Sequence, residues 1–230
     1  MENHVIASLG RRASRATLKF LLALAAMIFL PAWSLSYWQG WLFLANVTVW
    51  SIVITLYLLK RDPGLLERRL YAGPKAEEEP AQKRIQFFMA IQVIALVVTS
   101  AFDHGLGFSA VSAGVVIAAE LLIAIGYLAV LLVFRENSFA SATIELAADQ
   151  RVISSGPYAL VRHPMYAAAL VIFVGVPLSL GSWWGLLLVP PLTWLIAARL
   201  LDEERYLIKN LPGYDDYRSK VRYRLVPGVW

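Results

Sequence analysis

The sequence contains no cysteine and only three histidines. The first absence excludes a disulfide framework, a thiolate metal site and a cysteine nucleophile. The second argues against a histidine-built metal centre, because His4, His104 and His163 are scattered. No metal is expected. Charge is also scarce: Asp, Glu, Lys and Arg are 16% of the 230 residues, against about 25% in ordinary soluble chains. Hydrophobic residues make up 59%, and mean hydropathy is +0.60. A soluble globule of this size cannot hide that much apolar surface, so a soluble enzyme is excluded. Disorder is excluded too, since it needs low hydrophobicity. There is no Walker-type loop, no dinucleotide fingerprint, no serine in a nucleophile-elbow context and no internal repeat. The net charge of +5 would point to nucleic acid in a soluble protein. In this chain it points to orientation in a bilayer and to membrane lipids, with no nucleic-acid partner.

What is present is apolar length. A span needs about 20 mostly apolar residues. Six stretches meet or approach this: about 18–37, 40–59, 85–102, 111–134, 165–180 and 183–201. The expected fold is all-α, a polytopic membrane bundle of about six helices, or five if the short fifth stretch is re-entrant. The first two and the last two read as tight helical hairpins. Pro31, Pro177, Pro190 and Pro191 are expected to mark kinks. The N-terminal apolar run leads directly into a second span and reads as a retained helix. All 21 lysines and arginines fall on one side of a six-span arrangement, which predicts cytoplasmic termini. Trp33, Tyr37, Trp38, Trp41, Trp183 and Trp184 gather at the opposite ends, as an interfacial belt would. The short loops and tail fit a prokaryotic plasma membrane. Residues 1–134 read as N-terminal spans, and residues 135–230 as the region that carries polar chemistry. The charged, proline-containing loop Lys60–Lys83 reads as a solvated connector, with Glu77–Glu79 a polar face.

Two clusters stand out. In Ser154–Tyr166, Ser-Ser-Gly-Pro is turn chemistry, and Pro164 occupies a first helical position before an apolar run. Arg162 and His163 are thereby placed at a helix N-terminus on the membrane surface, where unpaired N–H groups attract anions. The same residues equally serve as headgroup anchors. The second cluster is Arg199–Arg205. Arg199 and Glu203, four apart, share a helix face. They suit a zwitterionic ligand or form an ordinary intrahelical ion pair. Glu120, deep in the fourth stretch, is either functional or a hydrogen-bonded packing residue. Asp103 and His104 read as solvated.

In this order and spacing the two clusters resemble the isoprenylcysteine carboxyl methyltransferase family and its phospholipid-methyltransferase relatives. The likeness covers about residues 135–230. It is carried by Ser155-Gly156-Pro157-Tyr158, Arg162-His163-Pro164-Met165-Tyr166, a helical hairpin, Glu203-Glu204, Gly213-Tyr214 with Tyr217, and Val226-Pro227. The four N-terminal spans match only as generic membrane helices.

The resemblance implies an integral membrane methyltransferase that uses S-adenosylmethionine and a lipophilic or prenylated acceptor. Residue by residue, it implies cofactor contacts at Tyr158, Arg162, His163, Pro164 and Tyr166, at the segment Gln150, Arg151, Val152 and Ile153, and at Glu203 and Glu204. Arg199 matches an arginine tied to the acceptor, so Arg199 and Glu203 are the expected catalytic pair. Glu145, in Thr143-Ile144-Glu145, is a weak candidate. Gln150 stands where relatives carry His. A carboxylate acceptor is already ionised at neutral pH and needs no strong base; an amine acceptor would need one. The alternatives are a lipid amine N-methyltransferase and a non-catalytic ligand-binding protein on the same scaffold. A distant likeness to membrane sterol reductases would imply a nicotinamide cofactor.

Overall fold

The computed structural model of the chain describes residues 2–71, 77, 79–141 and 150–230, and no strand occurs among them. The helices are α1 (Glu2–Ala32), α2 (Trp38–Arg61), α3 (Pro63–Leu70), α4 (Pro80–Leu106), α5 (Ala113–Glu136), α6 (Pro164–Ser179), α7 (Val189–Asn210) and α8 (Tyr214–Lys220). Short 3-10 turns lie at Gly156–Ala159 and Trp184–Leu188. The fold is a polytopic membrane helical bundle. Five segments are long and apolar enough to cross a membrane: Ile6–Ala32, α2, α4, α5 and Trp184–Asn210.

At 16 residues α6 falls short of these. Its rise is about 24 Å, against about 30 Å of hydrocarbon. It still runs the depth of the bundle. At its start, His163 lies beside Glu204 of α7. At its end, Ser179 Oγ donates to Glu120 of α5 at 2.8 Å, and the Tyr37 hydroxyl donates to the Leu180 carbonyl. The chain turns at Gly181, φ 71°, and returns as α7. Gly181 and Ser182 are buried, so protein rather than lipid shelters the turn's polar backbone.

The most extensive helix–helix contact among the described residues is that of α5 with α6. Glycine on each side permits it. A Cβ on Gly126 would lie 2.5 Å from Ile172 Cγ1, and one on Gly175 would lie 2.6 Å from Ile123 Cγ1. Small residues at such crossings let backbones approach. The shared core draws Ile28 from α1, Phe43 and Val47 from α2, Leu96 from α4, Ile123 from α5, Val176 from α6, and Leu192 and Ile196 from α7.

Several sequence expectations change at the two ends. Trp33, Trp38, Trp41, Trp183 and Trp184 are exposed as a belt requires, but Tyr37 is buried. Asp103 is buried, not solvated: Oδ2 accepts from Ser109 at 2.6 Å and from Ser182. His104 stacks on Tyr37 with ring centroids 3.7 Å apart. Together these side chains clasp the start of α2 to the far ends of α4 and α6. Glu120 is a hydrogen-bonded packing residue, since Asn46 Nδ2 donates to its other oxygen at 2.6 Å. Pro190 and Pro191 lie in the first turn of α7, directly after the 3-10 turn Trp184–Leu188.

Part of the expected connector is a packed helix. Asp62 accepts from the Leu65 N–H at 2.9 Å and Pro63 follows it, which starts α3. Leu65 and Leu66 then bury against Leu9, Ala13, Leu58 and Phe134.

Candidate functional site

The start of α6 is tied to the chain's last segment. Gly156, φ 55°, sets the turn. The backbone N–H groups of Arg162 and His163 donate to the carbonyls of Tyr223 and Arg224 at 2.9 and 3.0 Å. The Arg162 side chain turns inward, is buried, and donates to the Val221 and Arg222 carbonyls at 3.0 Å each. Its Nε donates to Glu204 Oε1 at 2.6 Å. His163 Nε2 lies 3.3 Å from the same oxygen, and Arg224 Nε donates to Oε2 at 2.8 Å. One buried carboxylate thus holds three basic side chains, which offsets the desolvation of all four. This arrangement fastens α6, α7 and the C-terminal segment together. Neither Arg162 nor His163 serves as a headgroup anchor.

Beside this knot lies the active-looking surface. The Tyr166 hydroxyl donates to Glu203 Oε2 at 2.6 Å and accepts from Arg199 Nε at 3.1 Å. Arg199 is buried. Its Nη1 donates to Gln82 at 2.9 Å and its Nη2 donates to Glu77 at 2.7 Å. Tyr166 therefore stands between Arg199 and Glu203, and the helical ion pair expected of them does not form. Glu77 is buried, not a solvated face, and also accepts from Gln86. Glu203 is half-buried and forms no salt bridge among the described residues.

These groups line a cavity of about 780 Å³. One stretch of its wall is apolar, with Phe20 and Met27 of α1, Met89, Val93 and Ile94 of α4, Tyr127 of α5 and Ile172 and Phe173 of α6. Phe20 and Ile94 are about half exposed, at 49% and 48%, so this stretch reaches the lipid-facing surface between α1 and α4. The other stretch is polar. It carries Arg69, Gln86, Asn137, Gln150, Arg151, Tyr158, Arg162, His163, Tyr166, Arg199, Glu203, Tyr214 and Tyr217, with the apolar Val152 and Ile153 among them. Of the sequence-expected residues, Pro164 and Glu204 are set back from this wall. Thr143, Ile144 and Glu145 lie outside the described residues.

Aromatic hydroxyls face a dry setting here. Burial pushes the Tyr158 hydroxyl up to about 12, against the lowering effect of Asn137, which donates to it at 2.7 Å. Burial likewise raises Tyr214 and Tyr217, with nearby carboxylate charge adding to Tyr214. The Tyr217 hydroxyl donates to the Tyr158 carbonyl at 2.7 Å. The Tyr214 hydroxyl is buried with no hydrogen-bond partner among the described groups. Such an orphan on a cavity wall fits a missing ligand atom. In the sequence Arg69 is one of the 21 basic residues that predict orientation. It enters the cavity with Nη1 3.2 Å from the Ser141 carbonyl and its guanidinium 5.0 Å from the Phe134 ring centroid. Burial and the neighbouring Arg199 charge hold it below its ordinary value.

The family described as Phospholipid methyltransferase has a model that matches residues 115–212. Protein-S-isoprenylcysteine O-methyltransferase of Schizosaccharomyces pombe (strain 972 / ATCC 24843) is 33% identical over 75 residues, which is 32% of this chain and 32% of that protein. The match thus spans about a third of that relative's length. The relative is eukaryotic, and so lends nothing to a prokaryotic membrane. The family match contains the whole of α6 and α7, the two helices that carry Tyr166, Arg199 and Glu203.

Proposed function

We propose, from the isoprenylcysteine methyltransferase-like membrane family that both matches support, that this chain transfers a methyl group from S-adenosylmethionine to the carboxylate of a lipophilic acceptor. The observation that carries this reading is the bridged trio Arg199–Tyr166–Glu203 on the wall of a cavity that is polar on one stretch and apolar on the other.

The donor set fits the cofactor. Glu203 has no bonded cation among the described residues and suits the cofactor's ammonium. Tyr214 offers an orphaned buried hydroxyl, and Tyr158 and Tyr217 offer aromatic faces to a ring or a sulfonium. Gln150, Arg151, Val152 and Ile153 border the same space. When bound, S-adenosylmethionine supplies an electrophilic methyl carbon, which leaves sulfur with its bonding pair left behind as an acceptor oxygen pair forms the new O–C bond.

The chain's own work is then alignment. Tyr166 fixes the Glu203 carboxylate, and Arg199, braced by Glu77 and Gln82, fixes Tyr166. Arg199 also places positive charge at the acceptor end. The apolar wall keeps water from the reacting atoms and receives the acceptor's tail from the bilayer. Glu204 works from behind the wall, holding His163 and Arg162 in place. The polar end of the bundle faces the cytoplasm in this reading. No proton needs removing from a carboxylate acceptor. That favours O-methylation over an amine acceptor, for which the described wall offers only His163 and Glu203 as bases.

The test is methyl-label transfer. The purified chain in lipid nanodiscs, given labelled S-adenosylmethionine and N-acetyl-S-farnesylcysteine, is expected to form a base-labile methyl ester. Label found only in amine lipids would move the assignment to N-methylation. No transfer and no cofactor binding would end it.

A further inference from the structure

The cavity holds two arginines, and they are not equivalent. Arg199 is braced on three sides by Glu77, Gln82 and Tyr166. Its charge is offset by the Glu77 carboxylate at 2.7 Å. Arg69 has no carboxylate partner among the described residues. Among the described residues its hydrogen bonds run from Nη1 to the carbonyls of Ala140 at 3.4 Å and Ser141 at 3.2 Å. A guanidinium carries five N–H donors in a rigid fork, so most of its edge is left to a ligand. The Phe134 ring 5.0 Å away occupies its face, which leaves the edge for bidentate contact.

The position of Arg69 is fixed. It belongs to α3, whose Leu65 and Leu66 are buried against α1, α2 and α5. Its neighbour Arg68 fastens the same helix to the Ser138 carbonyl at 2.6 Å and does not reach the cavity. A partly buried cation without a counter-charge is costly unless an anion arrives. On the anionic side, Glu203 is committed to Tyr166 and suits a cation.

Resting on the reading above, we infer that Arg69 is the seat of the acceptor's carboxylate, and that it selects a lipophilic acid over a neutral or cationic lipid. The acceptor's tail lies along Met27, Met89 and Val93, and its anionic head meets the Arg69 fork. Arg199 contributes field and alignment from the far side of Tyr166. The counter-charge that Arg69 lacks among the described residues is thus supplied by the substrate.

The experiment uses the full chain in nanodiscs with two probes, N-acetyl-S-farnesylcysteine and its carboxamide. S-adenosylhomocysteine affinity is measured beside them. Wild type is expected to favour the carboxylate. R69Q should abolish that preference, raising the carboxylate's KM by roughly 10- to 100-fold, the worth of a lost hydrogen-bonded charge. S-adenosylhomocysteine affinity should be unchanged. R69K should recover part of the preference, and R68Q, which loosens the same helix away from the cavity, should leave it intact. The inference is overturned if R69Q keeps the preference, if R68Q and R69Q lose it equally, or if wild type binds S-adenosylhomocysteine without distinguishing the two probes. Failure of wild type to bind S-adenosylhomocysteine would instead overturn the underlying methyltransferase reading, and this inference with it.

Discussion

The Tyr166 hydroxyl, on α6, donates to Oε2 of Glu203, on α7, at 2.6 Å. This one bond joins the two sequence clusters at the cavity wall. It also gives Glu203 its direction, because no cation is bonded to that carboxylate among the described residues. Tyr166→Phe keeps the ring and removes the bridge. Turnover should fall about 10-fold or more, in line with a charge-assisted hydrogen bond worth about 1.5–3 kcal/mol. The melting temperature in detergent should move little. Steady-state kinetics beside a thermal melt check this, and wild-type turnover would remove Tyr166 from the site.

Adjacent glutamates should give opposite phenotypes. Glu203→Ala should weaken S-adenosylhomocysteine binding by at least about 10-fold with the fold intact. Glu204→Ala leaves Arg162, His163 and Arg224 without their shared carboxylate. Breaking a buried pair this way costs about 3–5 kcal/mol, so this variant should lose thermal stability first. Binding titrations and melts on both variants separate the roles, and a reversed pattern would contradict them.

Those assignments show what was legible in the sequence. The apolar stretches gave the helices, and the Arg162–Tyr166 and Arg199–Glu204 segments do meet at one end of the bundle. The polar partners were not legible. Asp103 reads as a loop acid because one of the two serines that donate to it, Ser182, lies 79 residues away. Glu77 reads as part of a charged run, and only its pairing with Arg199, 122 residues away, explains its burial. Helix α3 carried a signal in Asp62-Pro63 and Leu65-Leu66, but it was overshadowed by the surrounding charge. Arg69 was hidden in the same way.

The α5–α6 crossing should tolerate no added methyl. Gly126→Ala places a Cβ 2.5 Å from Ile172 Cγ1 and 3.2 Å from the Ala168 carbonyl. Overpacking of this kind costs about 1–3 kcal/mol. Gly114→Ala, with nothing nearby, is the control. A Gly126→Ala melt matching Gly114→Ala would show that the helices part easily. Trimming Ile172 to Ala in the Gly126→Ala chain should restore some of the loss.

The far-end clasp should matter to stability and not to chemistry. Tyr37→Phe loses the hydrogen bond to the Leu180 carbonyl while keeping the ring stacked on His104. A loss of about 1 kcal/mol is expected, with turnover unchanged. A turnover defect in this variant would mean that the two ends of the bundle are coupled.

The most direct measurement is calorimetric titration of S-adenosylhomocysteine into the wild-type chain and its Glu203→Ala variant. The account predicts saturable one-site binding by wild type that weakens by at least about 10-fold in the variant. Absence of binding to wild type, or equal affinity in both, would contradict a cofactor seat on the Tyr166–Glu203 wall.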